Sequence, residues 1–543
     1  MRKKYIIIIL IISFIFSISY SPIENPYFIN TDDNKTRENL QPKSSYGYET
    51  RWQYLVTLVS NASNNQEAAR LSSDGDEGAI ITWHDSRNFV SSKRDIYTQR
   101  INSIGELQWT ENGTVICNDT NDQWNPEITE SGIGGAIITW VDNRGGDEDI
   151  YAQKINGSGT LWINNGTIIV NATGDQNSQQ ICSDENEGAI IVWADNRNGV
   201  DYDIYAQRID KNGNNLWGSN GTVLSNAMGD QESPQIVSDG NGGAIITWVD
   251  NRGGDEDIYA QKINGSGTLW INNGTVICNA TGDQESPQIV SDGNGGAIIT
   301  WVDNRSASRG YDIYSQLINL TGYVKWINNG TVICNATGYQ KSPQIISDGD
   351  GGAIITWVDN RSGNEDIYAQ KIIVSGNTAW TNNGTAICNI GTSNQNSTQI
   401  CSDRRGGAFI TWIDYRDAYP SVYVQAVNSS GNRHWVENGS CISKNQYDRF
   451  SVQIISDGYR GAIITWVDNR TGLDFNIYAQ RFNYLIPPIP TRGYIKSKFS
   501  KSLQETVMEF SESFINITIP LIILLCILGL VLISVKIKKS ISK

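Results

Sequence analysis

Along this chain, apolar runs of strand length alternate with breaks of Gly, Asn and Asp, and one arrangement of them keeps returning. Residues 238–264, SDGNGGAIITWVDNRGGDEDIYAQKIN, hold a clear copy. GAIITWVD (243–250) is almost unbroken in its apolar character, and DIYAQKIN (257–264) follows after an acidic break. Short runs of this kind, bounded by turn residues, predict strands covered on both faces. SPQIVSD (233–239) predicts a strand before them, and LWINNGTVICN (269–279) a fourth, broken by an Asn-Gly turn. Trp-x-Asp-x-Arg followed by Tyr-x-Gln occurs eight times, with tryptophans at Trp83, Trp140, Trp193, Trp248, Trp301, Trp357, Trp412 and Trp466 and a period of 53 to 57 residues. Four short strands per repeat, eight times over, predict the blades of an all-β, eight-bladed β-propeller. A solenoid of strands is the alternative, although its repeats are usually shorter.

The ends of the repeat region favour a closed ring. A second tryptophan, placed by this reading in the fourth strand, recurs seven times, at Trp109, Trp162, Trp217, Trp270, Trp326, Trp380 and Trp435. The last repeat stops after its third strand, NIYAQRFN (476–483). Its missing piece stands at the start of the region. Trp52 leads to Asn61-Ala62-Ser63 with the same spacing of nine that separates Trp162 from Asn171-Ala172-Thr173. The first strand of the region, the one around Trp52, is therefore expected to complete the last blade and close the ring. Sixteen of the 17 tryptophans then have a repeat position, and Trp124 is left over.

Charge and termini narrow the setting. A formal charge of −15 argues against a nucleic-acid partner, which needs a basic surface. Arg2, Lys3 and Lys4 precede the apolar run Tyr5–Ile18, the order of a secretory signal over 1–19, with an uncleaved anchor as the alternative. Residues 20–49 read as a flexible lead-in, 50–484 as the propeller and 485–516 as a stalk. Ile517–Val535 carries no charge and is long enough to cross a bilayer as a helix. Lys536, Lys538 and Lys539 follow it, which places the tail (536–543) in the cytoplasm and the propeller outside the cell, on a single-pass membrane protein.

The recurrent polar residues have a structural and a functional reading. Asp250 and Arg252 sit at a strand end and either brace one another or belong to a ring of eight sites; bracing is favoured because all eight copies keep the pair. The recurrent Gln (Gln261 and its equivalents) reads as a buried amide serving backbone groups. The acidic break contributes Asp250, Asp255 and Asp257 as weak calcium candidates, since clustered carboxylates suit a hard cation. No other cofactor is expected. Asn112, Asn165, Asn220, Asn273, Asn329, Asn383 and Asn438 each open an Asn-Gly-Ser/Thr sequon, explained either by N-glycosylation or by the Asn-Gly turn itself. Of eight cysteines, Cys526 lies in the apolar C-terminal run, and the other seven read as small core residues. His84 and His434 read as exposed and isolated. With no nucleophile–base pair in view, and blades too alike to shape a pocket, the expectation is that the chain is not an enzyme.

SDGxGGAIITWVDNRxGxxDIYAQKIN followed by LWxNNGTxIC resembles repeats of large secreted and surface-anchored proteins of bacteria and archaea, which implies a propeller and brings no catalytic residues with it. Its DGxGGA…W portion is similar to the Asp-box turn of sialidase-like propellers, with a different spacing. The functional expectation is a recognition or adhesion module for an extracellular glycan or protein, acting through acidic loops. A structural part of the cell envelope and a polysaccharide-acting, glycosidase-like enzyme are the alternatives.

Overall fold

The computed structural model describes residues 56–89, 93–306, 310–444 and 448–484. They form eight four-stranded antiparallel sheets, one per repeat. In the fourth blade the strands are Gln231–Ser238, Ala244–Asp250, Asp257–Ile263 and Thr275–Cys278, in that order across the sheet. Each first strand touches the first strands of its two neighbours, so these eight strands are the innermost of the ring.

The ring closes as the repeat count requires. Thr57–Ser60 pairs antiparallel with Asn476–Asn483, Thr57 opposite Ala479, and supplies the outer strand of the eighth blade. Val56 and Val59 are buried in clusters on either side of that blade. This excludes an open solenoid. Trp52 lies outside the described residues.

The second tryptophan needs correction. The outer strands begin at Thr114, Thr167, Thr222 and their equivalents, so Trp109, Trp162 and Trp217 precede them, in the turn after the third strand. There the indole N–H donates to the next blade: Trp270 Nε1 to the Leu320 carbonyl at 3.0 Å, and Trp435 Nε1 to that of Tyr484 at 3.1 Å. These residues join blades rather than extend a ladder.

Why the second strand is so apolar follows from the packing. All seven residues of AIITWVD are buried in the second blade, because both faces of a blade lie against neighbours. Each core cluster spans two blades; one combines Ile245, Ile258 and Ile277 of the fourth with Ala297, Ile299 and Trp301 of the fifth. The eight tryptophans of the Trp-x-Asp-x-Arg motif have no exposed surface.

The segments read as signal (1–19), lead-in (20–49), stalk (485–516), membrane helix (517–535) and tail (536–543) lie outside the described residues. Among the described residues, no helix is long and apolar enough to cross a membrane.

Candidate functional site

The repeated polar residues are used within the frame. Trp248 Nε1 donates to Asp250 Oδ2 at 2.8 Å, and Arg252 Nε donates to Asp250 Oδ1 at 2.7 Å. The guanidinium lies 3.9 Å over the Tyr259 ring, and its Nη2 also reaches the Asn273 carbonyl at 2.9 Å. The Asp–Arg pair forms in all eight blades. A fully buried carboxylate held by a guanidinium and an indole is fixed construction. Gln261 accepts from the Trp270 amide at 3.0 Å and donates to the Ile271 carbonyl, bracing the turn.

The calcium candidates are placed accordingly. Asp250 is committed to Trp248 and Arg252. Asp257 stands opposite it in the ladder, and Asp255 accepts from the Gly282 amide at 3.1 Å. Among the described residues no group of three or more His, Cys, Asp or Glu could hold a metal ion. Asp257 is pushed up to about 6, by burial first and then by Asp250 and Asp255.

The sequon asparagines also serve the ring. Asn112, Asn165, Asn273, Asn329, Asn383 and Asn438 have φ between 58° and 63°, and each side-chain oxygen accepts a backbone N–H from the preceding blade, as Asn273 does from Asn226 at 3.1 Å. Asn220, whose carbonyl accepts from Arg197, does not share this φ. The seven described cysteines are buried and form no disulfide. His434 is exposed and stacks on Tyr484 at 4.1 Å. His84 corrects the expectation: it is buried, its Nε2 3.6 Å from Glu67 Oε2. It fills a place that Val141 or Val358, buried between blades, fills elsewhere.

The blades differ at the second residue of the innermost strand. Around the ring it is Glu67, Trp124, Asn177, Glu232, Glu285, Lys341, Asn396 and Phe450. Its neighbours come from the residue before each third strand, on the face where that connection meets the blade-to-blade loop. The Gln176 amide, for instance, donates to the Glu148 carbonyl. The contacts change character by sector. Arg94 lies 5.2 Å over Trp124, Asn177 donates to Glu148 at 2.9 Å, and Lys341 pairs with Glu365 at 2.6 Å. Phe450 packs edge-on against Phe475, ring centroids 4.7 Å apart. Glu232, Glu256 and Glu285 gather on adjacent blades and all hold their protons more tightly than usual; burial is the main cause, with Glu285, Asp283 and Glu232 adding to it for Glu256.

Below this rim the channel wall is strained in a repeated way. The third residue of every innermost strand, from Ala68 and Asn125 to Ser451, has φ between 49° and 55°. A β-bulge falls there, between Glu67 and Arg70 in the first blade. The bulge resets the alternation of the strand, so the second and fifth residues are both partly exposed while the fourth is buried. A cavity of about 300 Å³ opens in this wall across the first four blades, lined by Arg70, Asn125, Glu127, Gln180 and Ser233 among others.

Sequence reasoning expected binding through the acidic loops of this face but missed the innermost-strand residues of the rim and the wall, because there it looked for what the copies share. The signal was present in what they do not share, and Trp124, the unassigned tryptophan, was part of it.

No family model matches the chain, and no curated protein does. Among solved structures, an ulvan lyase of a new polysaccharide lyase family is similar over 81% of this chain and 96% of its own, at 11% identity and a TM-score of 0.40. The endo-arabinase of Bacteroides thetaiotaomicron is similar over 58% of this chain and 96% of its own, at 14% identity and a TM-score of 0.29. A eukaryotic initiation factor is similar over 79% and 90%, at 8% identity and a TM-score of 0.39. These likenesses concern the arrangement of blades, which hosts enzymes and non-enzymes alike. The expectation that the chain is not an enzyme does not stand, because its premise, blades too alike to shape a pocket, fails at the rim and the wall.

Proposed function

We propose that this chain is a surface-displayed propeller that recognises a glycan at the rim of its central channel. One observation carries the reading: on a frame repeated eight times, ring closure brings the second residue of the innermost strand, which differs among the blades, to one axial opening. Binding differences on rigid scaffolds gather in this way. The rim sets carboxylates and amides beside Trp124, Phe450 and the tyrosines Tyr202 and Tyr311. Carboxylates and amides accept hydroxyl hydrogens, and aromatic rings cover the C–H faces of sugars. The acidic sector of Glu232, Glu256 and Glu285 disfavours an anionic ligand. Display outside the cell is supported by the N-terminal signal pattern and by the apolar run Ile517–Val535.

The test is calorimetric binding of the full-length protein to a panel of oligosaccharides, alongside Trp124→Ala and Glu256→Gln. At least one glycan is expected to bind saturably, and each variant to weaken it by about tenfold, near the 1.4 kcal/mol of one good contact. Absence of any glycan binding, or variants that bind like the parent, would sink the reading. Shortened products appearing in the same mixtures would add turnover to recognition.

A further inference from the structure

Six of the eight innermost strands read Ser-x-Gln at their third to fifth residues. Two adjacent strands depart from this, Ala68-Ala69-Arg70 in the first blade and Asn125-Pro126-Glu127 in the second. The cavity in the channel wall opens at this departure. Arg70 Nε donates to Glu127 Oε1 at 2.7 Å, and Gln180 from the third blade bonds the same carboxylate. Gln179, buried where other blades carry Pro, Ala, Thr or Val, donates to the Asn125 carbonyl at 2.5 Å and holds that strand in place. The same two strands bear Glu67 and Trp124 at the rim, three residues away, which is roughly 10 Å at the rise of a strand. Rim and cavity therefore lie along one path.

We infer that Arg70 and Glu127, with Asn125, Gln180 and Ser233, form a subsite for the uncharged terminal sugar of a glycan that enters past Trp124. This rests on the glycan reading above and adds the chemical class of the unit bound deepest. The charges argue for neutrality: guanidinium and carboxylate cancel, so a carboxylate or ammonium on the ligand would meet repulsion from one of them without a free partner in the other. Vicinal hydroxyls suit the pair, one donating to the carboxylate while its neighbour accepts from the guanidinium. Burial pushes the Glu127 carboxyl up against the pull of Arg70, while both side chains, which line the cavity, keep some exposed surface. The remaining wall offers amide and hydroxyl groups, which discriminate by hydrogen-bond pattern rather than by charge.

The repeat itself supplies the test. Arg70→Gln with Glu127→Gln gives both strands the fifth residue of the other six, so the fold is expected to persist, checked by an unchanged melting temperature. Full-length parent and double variant are titrated with neutral oligosaccharides and with matched chains ending in a uronate or an amino sugar. The parent is expected to prefer neutral ends, and the double variant to lose at least tenfold in affinity for them. Glu127→Gln alone leaves Arg70 without its counter-charge and should shift preference toward uronate-terminated chains. Equal binding by parent and double variant, or a parent preference for charged ends, overturns the subsite while leaving the rim reading in place. A parent that binds no glycan overturns both.

Discussion

At the residue scale, several positions serve packing so tightly that substitution is costly. A Cβ on Gly274 would stand 2.4 Å from Trp248 Cη2, at a φ of +80°. Gly274→Ala is expected to destabilise the protein by about 2–3 kcal/mol, from overpacking together with a strained backbone, read from a denaturant midpoint. The carboxylates divide into two groups with opposite pH behaviour. Asp149, Asp203 and Asp257 are each pushed up to about 6, by burial first and then by a neighbouring carboxylate. In the unfolded chain an aspartate titrates near 3.9. The folded state therefore binds the proton more tightly. These groups favour folding below about pH 4, and that contribution is lost as pH rises through about 6. Asp239 runs the other way: burial opposes its charge, but the amides of Asn241 and Gly243 with Lys262 outweigh it and hold it low. Its stabilisation is present above about pH 4 and lost on acidification. The seventh and eighth blades carry Ser421 and Asn476 at the Asp257 position. Replacing Asp149, Asp203 and Asp257 by Asn should raise the melting temperature at pH 7, and the gain should vanish near pH 4. A gain of equal size at both values would refute the assignment.

At the element scale, the closing strand carries the most weight for its length. Four residues complete the eighth blade, and Val56 and Val59 bury against the clusters on both sides. Deleting residues 50–61 uncovers those clusters and the edge of Asn476–Asn483. The melting temperature is expected to fall by about 10 °C or more, since each buried valine and each ladder bond removed weakens the ring. A synthetic peptide of that segment should restore part of the stability, and a truncated protein that melts like the parent would show the strand to be dispensable. The elements also explain which part of the sequence reading was displaced. Strand positions were legible because apolar runs of strand length and turn residues mark them. The second tryptophan was assigned to a strand because Leu269-Trp270-Ile271 is an apolar run just ahead of the Asn-Gly turn; its indoles instead bridge blades, a role that involves residues some 50 positions away.

At the scale of the whole molecule, the core is shared between blades rather than housed within them. Every cluster spans a blade boundary, so damage to one blade reaches the next around the ring. Asp250→Asn leaves Arg252 and the Trp248 indole without their buried carboxylate, a loss of about 3 kcal/mol by comparison with other buried pairs. It is expected to lower a single calorimetric transition. A separate low-temperature step confined to one blade would instead mark the blades as independent units.

Taken alone, the sequence determined the number of blades, their strand pattern and the end that closes the ring, because these depend on spacing and on alternation that any copy displays. It also favoured a bracing role for Asp250 and Arg252, since a pair kept in every copy points to the frame, and the structure shows the contact. Only the tertiary structure decided where the differences between copies meet. Glu67, Trp124, Glu232, Glu285 and Phe450 are scattered over nearly 400 residues, and ring closure brings them to one rim. The bulge beneath that rim turns Arg70 and Glu127 inward, although strict alternation would have turned them away from the side their second residues face. Local pattern encodes the blade; the opening exists only once eight blades are joined.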